Sequence, residues 1–164
     1  MGLQLPGELI TALGWIGLSW PEADEEKLFE MGQAWIEFGG RVAGASGEAS
    51  SAAAAIWQQH EGDAIQAFQK WWTKADSGPG TLPDYANAAM LVGTGMIICA
   101  AIVLVLKIQM IVQLVILVIE VAQAIATAIA TFGASLAEIP IFQTITREIV
   151  GMLIDQVISE LLNG

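Results

Sequence analysis

The chain has 164 residues, 55% of them hydrophobic, and a formal net charge of −11. A phosphate backbone repels such an acidic chain, so nucleic acid is not an expected partner. Anionic lipid headgroups repel it as well, so any contact with a membrane has to come from the burial of apolar surface.

Helix-forming residues dominate the whole sequence and no alternation with a period of two occurs, which predicts an all-α fold. Three breaks divide the chain, at Pro21, at residues 77–84 and at Pro140. We therefore predict a lead-in helix and a helical hairpin in residues 1–76, a Gly/Pro linker in residues 77–84, and an apolar helical extension in residues 85–164. We expect that extension to contain a very long apolar helix and, after Pro140, an amphipathic return helix.

The first predicted helix is short and amphipathic. Its apolar stripe is formed by Leu5, Leu9, Leu13 and Ile16. We expect this lead-in helix to fold back over the open end of the hairpin that follows, near Trp35 and Phe38.

The first arm of the hairpin, residues 24–57, has the most regular spacing in the sequence. Apolar or small residues alternate at intervals of three and four, at Leu28, Met31, Trp35, Phe38, Val42, Ala45, Ala49, Ala52 and Ile56. Such a heptad pattern predicts a seam that faces one partner helix. The seam tapers from large side chains to alanine, so the partner helix has to approach closely near residues 45–52.

A turn follows the first arm. Gly62 can adopt a positive φ there, and Asp63 can cap a new helix. The next residues, Ile65, Phe68, Trp72 and Ala75, repeat the same intervals. Two helices with matching seams and a short connection predict an antiparallel hairpin over residues 24–75.

A family resemblance rests on three segments in this order: LPGEL, WPEADEEKL and IWQQHEGDAIQAFQKWW. With them the chain resembles the N-terminal domain of CpnT-like actinobacterial polymorphic toxins, a divergent branch of the Trp-x-Gly hairpin family exported by type VII secretion. The resemblance implies an export and targeting domain without catalysis, recognised by secretion machinery. It agrees with the first twenty residues, which lack the basic and apolar regions of a Sec signal peptide.

The resemblance also implies recognition residues. Trp57 before the turn and Gly62 in it correspond to the Trp-x-Gly motif, although four residues separate them here instead of one. The family's export signal, Tyr-x-x-x-Asp/Glu, is missing in its usual form because Tyr85 has no acid four residues later. Trp72 and Asp76 have the spacing and the position of a substitute.

No constellation for catalysis or metal binding is visible. The chain has one histidine, one cysteine within an apolar run, and no glycine-rich phosphate loop. His60, Glu61 and Asp63 are close in sequence, but a single histidine on a polar turn is generally solvated rather than a ligand. We expect no enzymatic activity, no cofactor and no metal site.

The apolar extension is long enough to cross a bilayer, because residues 88–106 contain nineteen residues without a charge. At 100° per residue, however, its polar side chains form one narrow stripe. The stripe comprises Gln109, Gln113, Glu120, Gln123, Thr127 and Thr131. Only Lys107 lies on the opposite side. The constant phase predicts an unbroken helix from residue 109 to residue 131.

A narrow polar stripe on an apolar helix has two interpretations. The stripe can meet water while protein covers the remaining arc, or it can line the lumen of a pore while the rest faces lipid. We favour the first, in which a small helical partner protein or a second copy completes the cover. The alternative is a membrane-inserting oligomeric channel, and a third hypothesis is a self-assembling structural protein unrelated to secretion.

Overall fold

The computed structural model describes residues 2–163. In chain order its helices are α1 (Gly7–Ile16), α2 (Glu25–Gln59), α3 (Asp63–Trp72), α4 (Gly78–Thr127) and α5 (Ile139–Asn163), with a 3₁₀ turn at Ala134–Glu138 before α5. No strand occurs within these residues. The predicted all-α fold is confirmed.

The chain forms two compact units whose boundary crosses α2 and α4. The hairpin unit is Leu28–Ile98, and the bundle unit consists of the chain up to Lys27 together with the chain from Cys99 onward. The division into residues 1–76, 77–84 and 85–164 stays a prediction, because compactness by itself does not define where a domain ends.

In the hairpin unit, α2 and α4 run antiparallel at very short distance. A Cβ atom added to Gly32 would lie 2.7 Å from the carbonyl oxygen of Gly93, and one added to Gly39 would lie 2.7 Å from that of Ala86. Only helices whose backbones touch leave so little space. The long second arm of the hairpin is therefore α4, and α3 is a short helix within the connection.

The residues that α2 buries within the hairpin unit lie beside the predicted seam. They are spaced by seven and are small, namely Gly32, Gly39, Ser46 and Ala53. Met31, Trp35 and Phe38 of the predicted seam are 50%, 40% and 47% exposed. Small residues face α4 because they let the two backbones approach, which large side chains would prevent.

The predicted Gly/Pro linker is helical from Gly78 onward, in the first turns of α4. Ser77 caps this helix: its Oγ accepts a hydrogen bond from the Gly80 N–H at 3.0 Å. Pro79 is tolerated because the first turn of a helix leaves its N–H groups without partners in any case. Pro83 lies inside the helix.

The bundle unit has a core built by α1, α4 and α5. Its buried members are Leu9, Ala12, Leu13, Ile16, Leu106, Met110, Leu114, Leu117, Val121 and Val150. The stripe predicted for the lead-in helix is thus largely buried, and aliphatic side chains of α4 and α5 in the same unit cover it.

The long helix ends earlier than predicted. α4 stops at Thr127, and Thr131 lies in the following turns, so the prediction of one unbroken helix to residue 131 is wrong. Phe132 and Gly133 adopt positive φ values of 52° and 83°, and the Gly133 N–H donates to the carbonyl oxygen of Ala128 at 2.7 Å. This left-handed pair ends the run of turns that follows α4. The spacing of the polar side chains continues through these turns to Thr131. That spacing could therefore not show that α4 ends at Thr127.

Candidate functional site

The turn between α2 and α3 brings aromatic residues together. Gly62 has a φ of 128°, as its predicted turn position requires, and α3 begins at the next residue. The chain reverses there, and the ring of Trp57 lies 5.8 Å from that of Phe68. The ring centroid of Trp72, which follows Phe68 in α3, lies 5.5 Å from the centroid of the Phe68 ring. Phe68 thus links the two tryptophans of the predicted recognition set.

Trp57 and Trp72 also line one cleft of about 370 Å³. The other lining residues are Ser46, Ser50, Thr73, Pro79, Gly80 and Pro83. All three helices of the hairpin unit contribute to its walls. A cleft with two indoles, two proline rings and three hydroxyl groups can hold an apolar or aromatic side chain and hydrogen-bond the backbone next to it.

The remaining predicted recognition residue, Asp76, lies apart from this cleft. α3 ends at Trp72, so Asp76 is beyond the helix, exposed, and paired with Lys74 at 2.8 Å. Trp72 and Asp76 therefore do not share a helical face. His60, Glu61 and Asp63 are exposed, and no group of three or more His, Cys, Asp or Glu side chains comes together within the described part of the chain.

The outer face of α2 carries the large residues of the predicted seam. Trp35 and Phe38 meet edge to face with their ring centroids 6.0 Å apart. Together with Ala34 they form a shallow hollow of about 240 Å³. Leu28 is half-buried, as is Phe68 in α3. This face lacks a partner among the helices of the hairpin unit, and its aromatic rings are of the kind that dominate protein interfaces.

The predicted polar stripe lies partly on the surface of α4. Gln109, Gln123 and Thr127 are exposed, whereas Gln113 and Glu120 are half-buried. Thr131, beyond the helix end, is exposed and its hydroxyl donates to the carbonyl of Thr127. By length and composition α4 could cross a membrane, and within residues 2–163 no other helix qualifies. A third of its most apolar window is buried in the fold.

The bundle unit contains a buried ion pair that none of the predictions from sequence includes. Lys107, 2% exposed, donates hydrogen bonds of 2.7 Å to a carboxylate oxygen of Glu25 and to the carbonyl oxygen of Ala23. The Glu25 carboxylate is 8% exposed and also accepts the N–H of Leu3. The Trp20 ring lies 5.8 Å from the ammonium group. This point joins the N-terminal segment, the start of α2 and the middle of α4.

The environment of Glu25 determines the direction of its pKa shift. Burial raises the pKa of the carboxyl group, but the hydrogen bonds from Lys107 and from the Leu3 amide oppose burial and prevail. The pKa therefore lies below its ordinary value, and the carboxylate stays charged at neutral pH.

A heptad pattern in α4 could have located Lys107. Two series of buried residues run along α4, each spaced by seven or a multiple of seven. The first series is Ala86, Gly93, Ala100, Lys107, Leu114 and Val121. The second series is Ala89, Val103, Met110, Leu117 and Ala124. Lys107 thus occupies a core position, and a charge in a core position demands a buried counter-charge.

The comparison with known families agrees with this architecture. The WXG100 like domain family matches the chain over residues 5–149. That range spans all of the hairpin unit and most of the bundle unit, so the chain belongs to the WXG100-like domain family. Neither a curated protein nor a solved structure matches it.

Family membership carries several general properties. The family is helical, related to type VII secretion and generally non-enzymatic, and its proteins typically pair helix to helix as dimers. The first of these properties agrees with the five helices described above.

Proposed function

We propose that this chain is a non-catalytic export and targeting domain of a toxin-like protein secreted by the type VII route. Membership of the WXG100-like family supports export by that route. The resemblance of residues 5–75 to CpnT-like toxins supports the toxin-like context. Within this function, the cleft that Trp57 and Trp72 line is the surface that secretion machinery recognises.

The observation that carries this proposal is the convergence of Trp57 and Trp72 on one cleft. They are fifteen positions apart in sequence, on α2 and α3, yet both rings contact Phe68. A tryptophan that serves only to pack the hairpin would be buried. Both indoles are only half-buried, and both border the open space of the cleft. Their uncovered surface is available to an apolar side chain of a receptor.

Replacing Trp57 by alanine is expected to abolish export while leaving the fold intact. The substitution removes one wall of the cleft but none of the close α2–α4 contacts at Gly32 and Gly39. Secretion is measured as the ratio of chain in culture filtrate to chain in cells, in an actinobacterial host with the type VII system. Trp72→Ala should have the same effect.

Trp71→Ala is the matched control, because Trp71 is adjacent in sequence and half exposed but does not line the cleft. We expect it to be exported like the parent. Normal export of both Trp57→Ala and Trp72→Ala would disprove the role of the cleft, provided that circular dichroism shows unchanged helicity.

The outer face of α2 supports a second element of the function, pairing with a second copy of the chain. The taper of this face makes it self-complementary in antiparallel orientation. With a two-fold axis between Trp35 and Phe38, each Trp35 opposes the Phe38 of the other copy, and Met31 opposes Val42. Farther out, Leu28 opposes Ala45. Large side chains thus meet smaller ones at each end, as interdigitated packing requires.

Phe38→Glu is expected to convert a dimer of this kind into a monomer, because two carboxylates would be buried next to the opposing Trp35 rings. Light scattering after size exclusion measures the mass. Tyr85→Glu is the control, since Tyr85 is an exposed aromatic residue of the hairpin unit on α4. A parent chain that is monomeric at about 100 μM, well above the Kd of most specific dimers, would refute pairing with a second copy.

A further inference from the structure

The cleft that Trp57 and Trp72 line offers hydrogen-bond donors that the fold itself does not use. Within residues 2–163, neither indole N–H donates a hydrogen bond to the protein, and the hydroxyl of Ser50 does not either. An indole can donate a hydrogen bond but cannot accept one. A ligand that fills the cleft has to bring acceptors, because otherwise it separates these donors from water without compensation.

The cleft offers few acceptors in return. Among the side chains that line it, only hydroxyl groups can accept a hydrogen bond. Carbonyl groups at the end of α3 already have donors: that of Gln69 accepts from the N–H and hydroxyl of Thr73, and that of Trp72 accepts from the Ser77 hydroxyl at 3.2 Å. An ordinary extended peptide brings one N–H per residue, whereas proline has a carbonyl acceptor and no N–H. A proline-rich segment therefore complements the cleft.

The charges around the cleft indicate that its ligand is uncharged. The described residues that line it carry no charge. Lys74, the nearest base in sequence, is paired with Asp76 at 2.8 Å. Because the whole chain has a net charge of −11, an acidic or phosphorylated segment would be repelled and would find no free cluster of bases to bind it.

The spacing of the two tryptophans fits the repeat of a polyproline II helix. Their ring centroids lie 5.8 Å and 5.5 Å from that of Phe68, so the two indoles are at most about 11 Å apart. A polyproline II helix rises about 3.1 Å per residue with three residues per turn, so residues three apart share one face at a distance of about 9 Å. Two prolines at this spacing can each pack on one indole.

We propose that the cleft binds an uncharged, proline-rich segment of its receptor in the polyproline II conformation. The inference rests on the proposed function, because it names the chemistry of the segment that the export cleft recognises. Trp57 and Trp72 pack on two prolines of the segment and donate their indole N–H groups to its carbonyl oxygens. Ser50, on α2, provides a third donor. The segment is already extended before it binds and so loses little conformational entropy.

Binding of acetylated and amidated octaproline to the purified, ¹⁵N-labelled chain tests this proposal. Nuclear magnetic resonance follows the indole N–H signals of the six tryptophans. We expect those of Trp57 and Trp72 to shift until they saturate. An equally long, blocked peptide of four Ser-Leu repeats should bind at least about tenfold more weakly, because its N–H groups lose water without gaining acceptors. Failure of octaproline to bind, or equal or tighter binding of the Ser-Leu peptide, would overturn the proposal.

Substitutions that remove one donor each test the hydrogen bonds. Trp57→Phe keeps an aromatic ring but loses the N–H, and Ser50→Ala loses the hydroxyl. Each should weaken octaproline binding about fivefold. Ser51→Ala is the matched control: Ser51 is the next residue of α2 and is exposed, but its hydroxyl donates to the carbonyl oxygen of Gly47 and does not line the cleft. It should bind like the parent. Unchanged affinity in both Trp57→Phe and Ser50→Ala would overturn the proposal.

Peptide binding and export can fail separately, because octaproline is titrated into the purified chain without the secretion host. If Trp57→Ala is not exported and the parent does not bind octaproline, the export role stands and the ligand class is wrong. If the parent binds octaproline and both Trp57→Ala and Trp72→Ala are exported normally, the ligand class stands and the export role is wrong. Thermal unfolding followed by circular dichroism establishes that each variant is folded when it is titrated.

Discussion

Replacing Glu25 by alanine is expected to lower the free energy of unfolding by about 3–5 kcal/mol, the usual cost of leaving a buried charge without its partner. Lys107 would keep only the carbonyl oxygen of Ala23 as an acceptor, in a site that is 2% exposed. The Leu3 amide would lose its acceptor as well. Urea denaturation at pH 7, followed by circular dichroism, measures the change.

Two controls separate burial from charge. The double variant Glu25→Leu/Lys107→Met should recover most of the loss, because apolar residues of similar volume replace a buried pair at little net cost. Lys74→Ala removes an ion pair of similar length, 2.8 Å, but on the surface. It should leave stability nearly unchanged. A loss for Lys74→Ala equal to that for Glu25→Ala would contradict the role of burial.

The same pair makes stability depend on pH in a defined direction. The pKa of the Glu25 carboxyl lies below its ordinary value of 4.5 in the folded chain. Its contribution is therefore complete above that pH and is lost as the pH falls through the lower, folded value. The difference in unfolding free energy between the parent and Glu25→Gln should accordingly be constant near neutrality and shrink below pH 4.5. A difference that grows on acidification would show the opposite sign of the shift.

The helices themselves could be predicted from sequence, but the contacts of α2 could not. α2 carries two interleaved patterns, the large residues such as Trp35 and Phe38 and the small residues Gly32 and Gly39. Periodicity identifies both, and hydrophobicity ranks the large residues higher. Which pattern faces α4 depends on the distance between the helices, which in turn depends on the glycines of the other helix, such as Gly93.

The candidate cleft could be predicted only in part. The family resemblance implies Trp57 and Gly62 as recognition residues, and the positive φ of Gly62 agrees with its predicted turn. Pro79 and Pro83, which also line the cleft, fall in the predicted linker, because glycine and proline commonly interrupt helices. The hydroxyl of Ser77 turns the same residues into a helix start, and a Ser-Gly-Pro sequence alone is compatible with both structures.

The pairing of Lys107 with Glu25 illustrates the limit set by sequence separation. The two residues are 82 positions apart, and any of the acids in the chain could have provided the counter-charge. The heptad frame identifies the position of Lys107 as buried, but only the folded arrangement of α2 and α4 brings Glu25 to it. Local patterns therefore predict the need for a partner and not its identity.

Gly93→Ala is expected to destabilise the hairpin unit by about 1–3 kcal/mol, the usual cost of overpacking a close contact. A Cβ atom at this position would lie 2.5 Å from the carbonyl oxygen of Gly32 and 3.0 Å from the backbone nitrogen of Ile36. Neither backbone atom can move without shifting α2 as a whole. Gly93→Leu should cost more, because its larger side chain would force the helices apart over several turns.

Gly95→Ala provides the control for helix propensity. It lies two residues farther along α4, and a Cβ atom there would meet nothing within 4 Å. Alanine should therefore stabilise the helix by up to about 1 kcal/mol, through the smaller entropy that it loses on folding. Urea denaturation and the hydrogen-exchange rates of α2 amides measure both variants. Opposite signs for the two substitutions are expected, since only Gly93 lies against another backbone. If both substitutions stabilise the chain, α2 and α4 do not touch at Gly93, and the small-residue seam is not what holds the hairpin together.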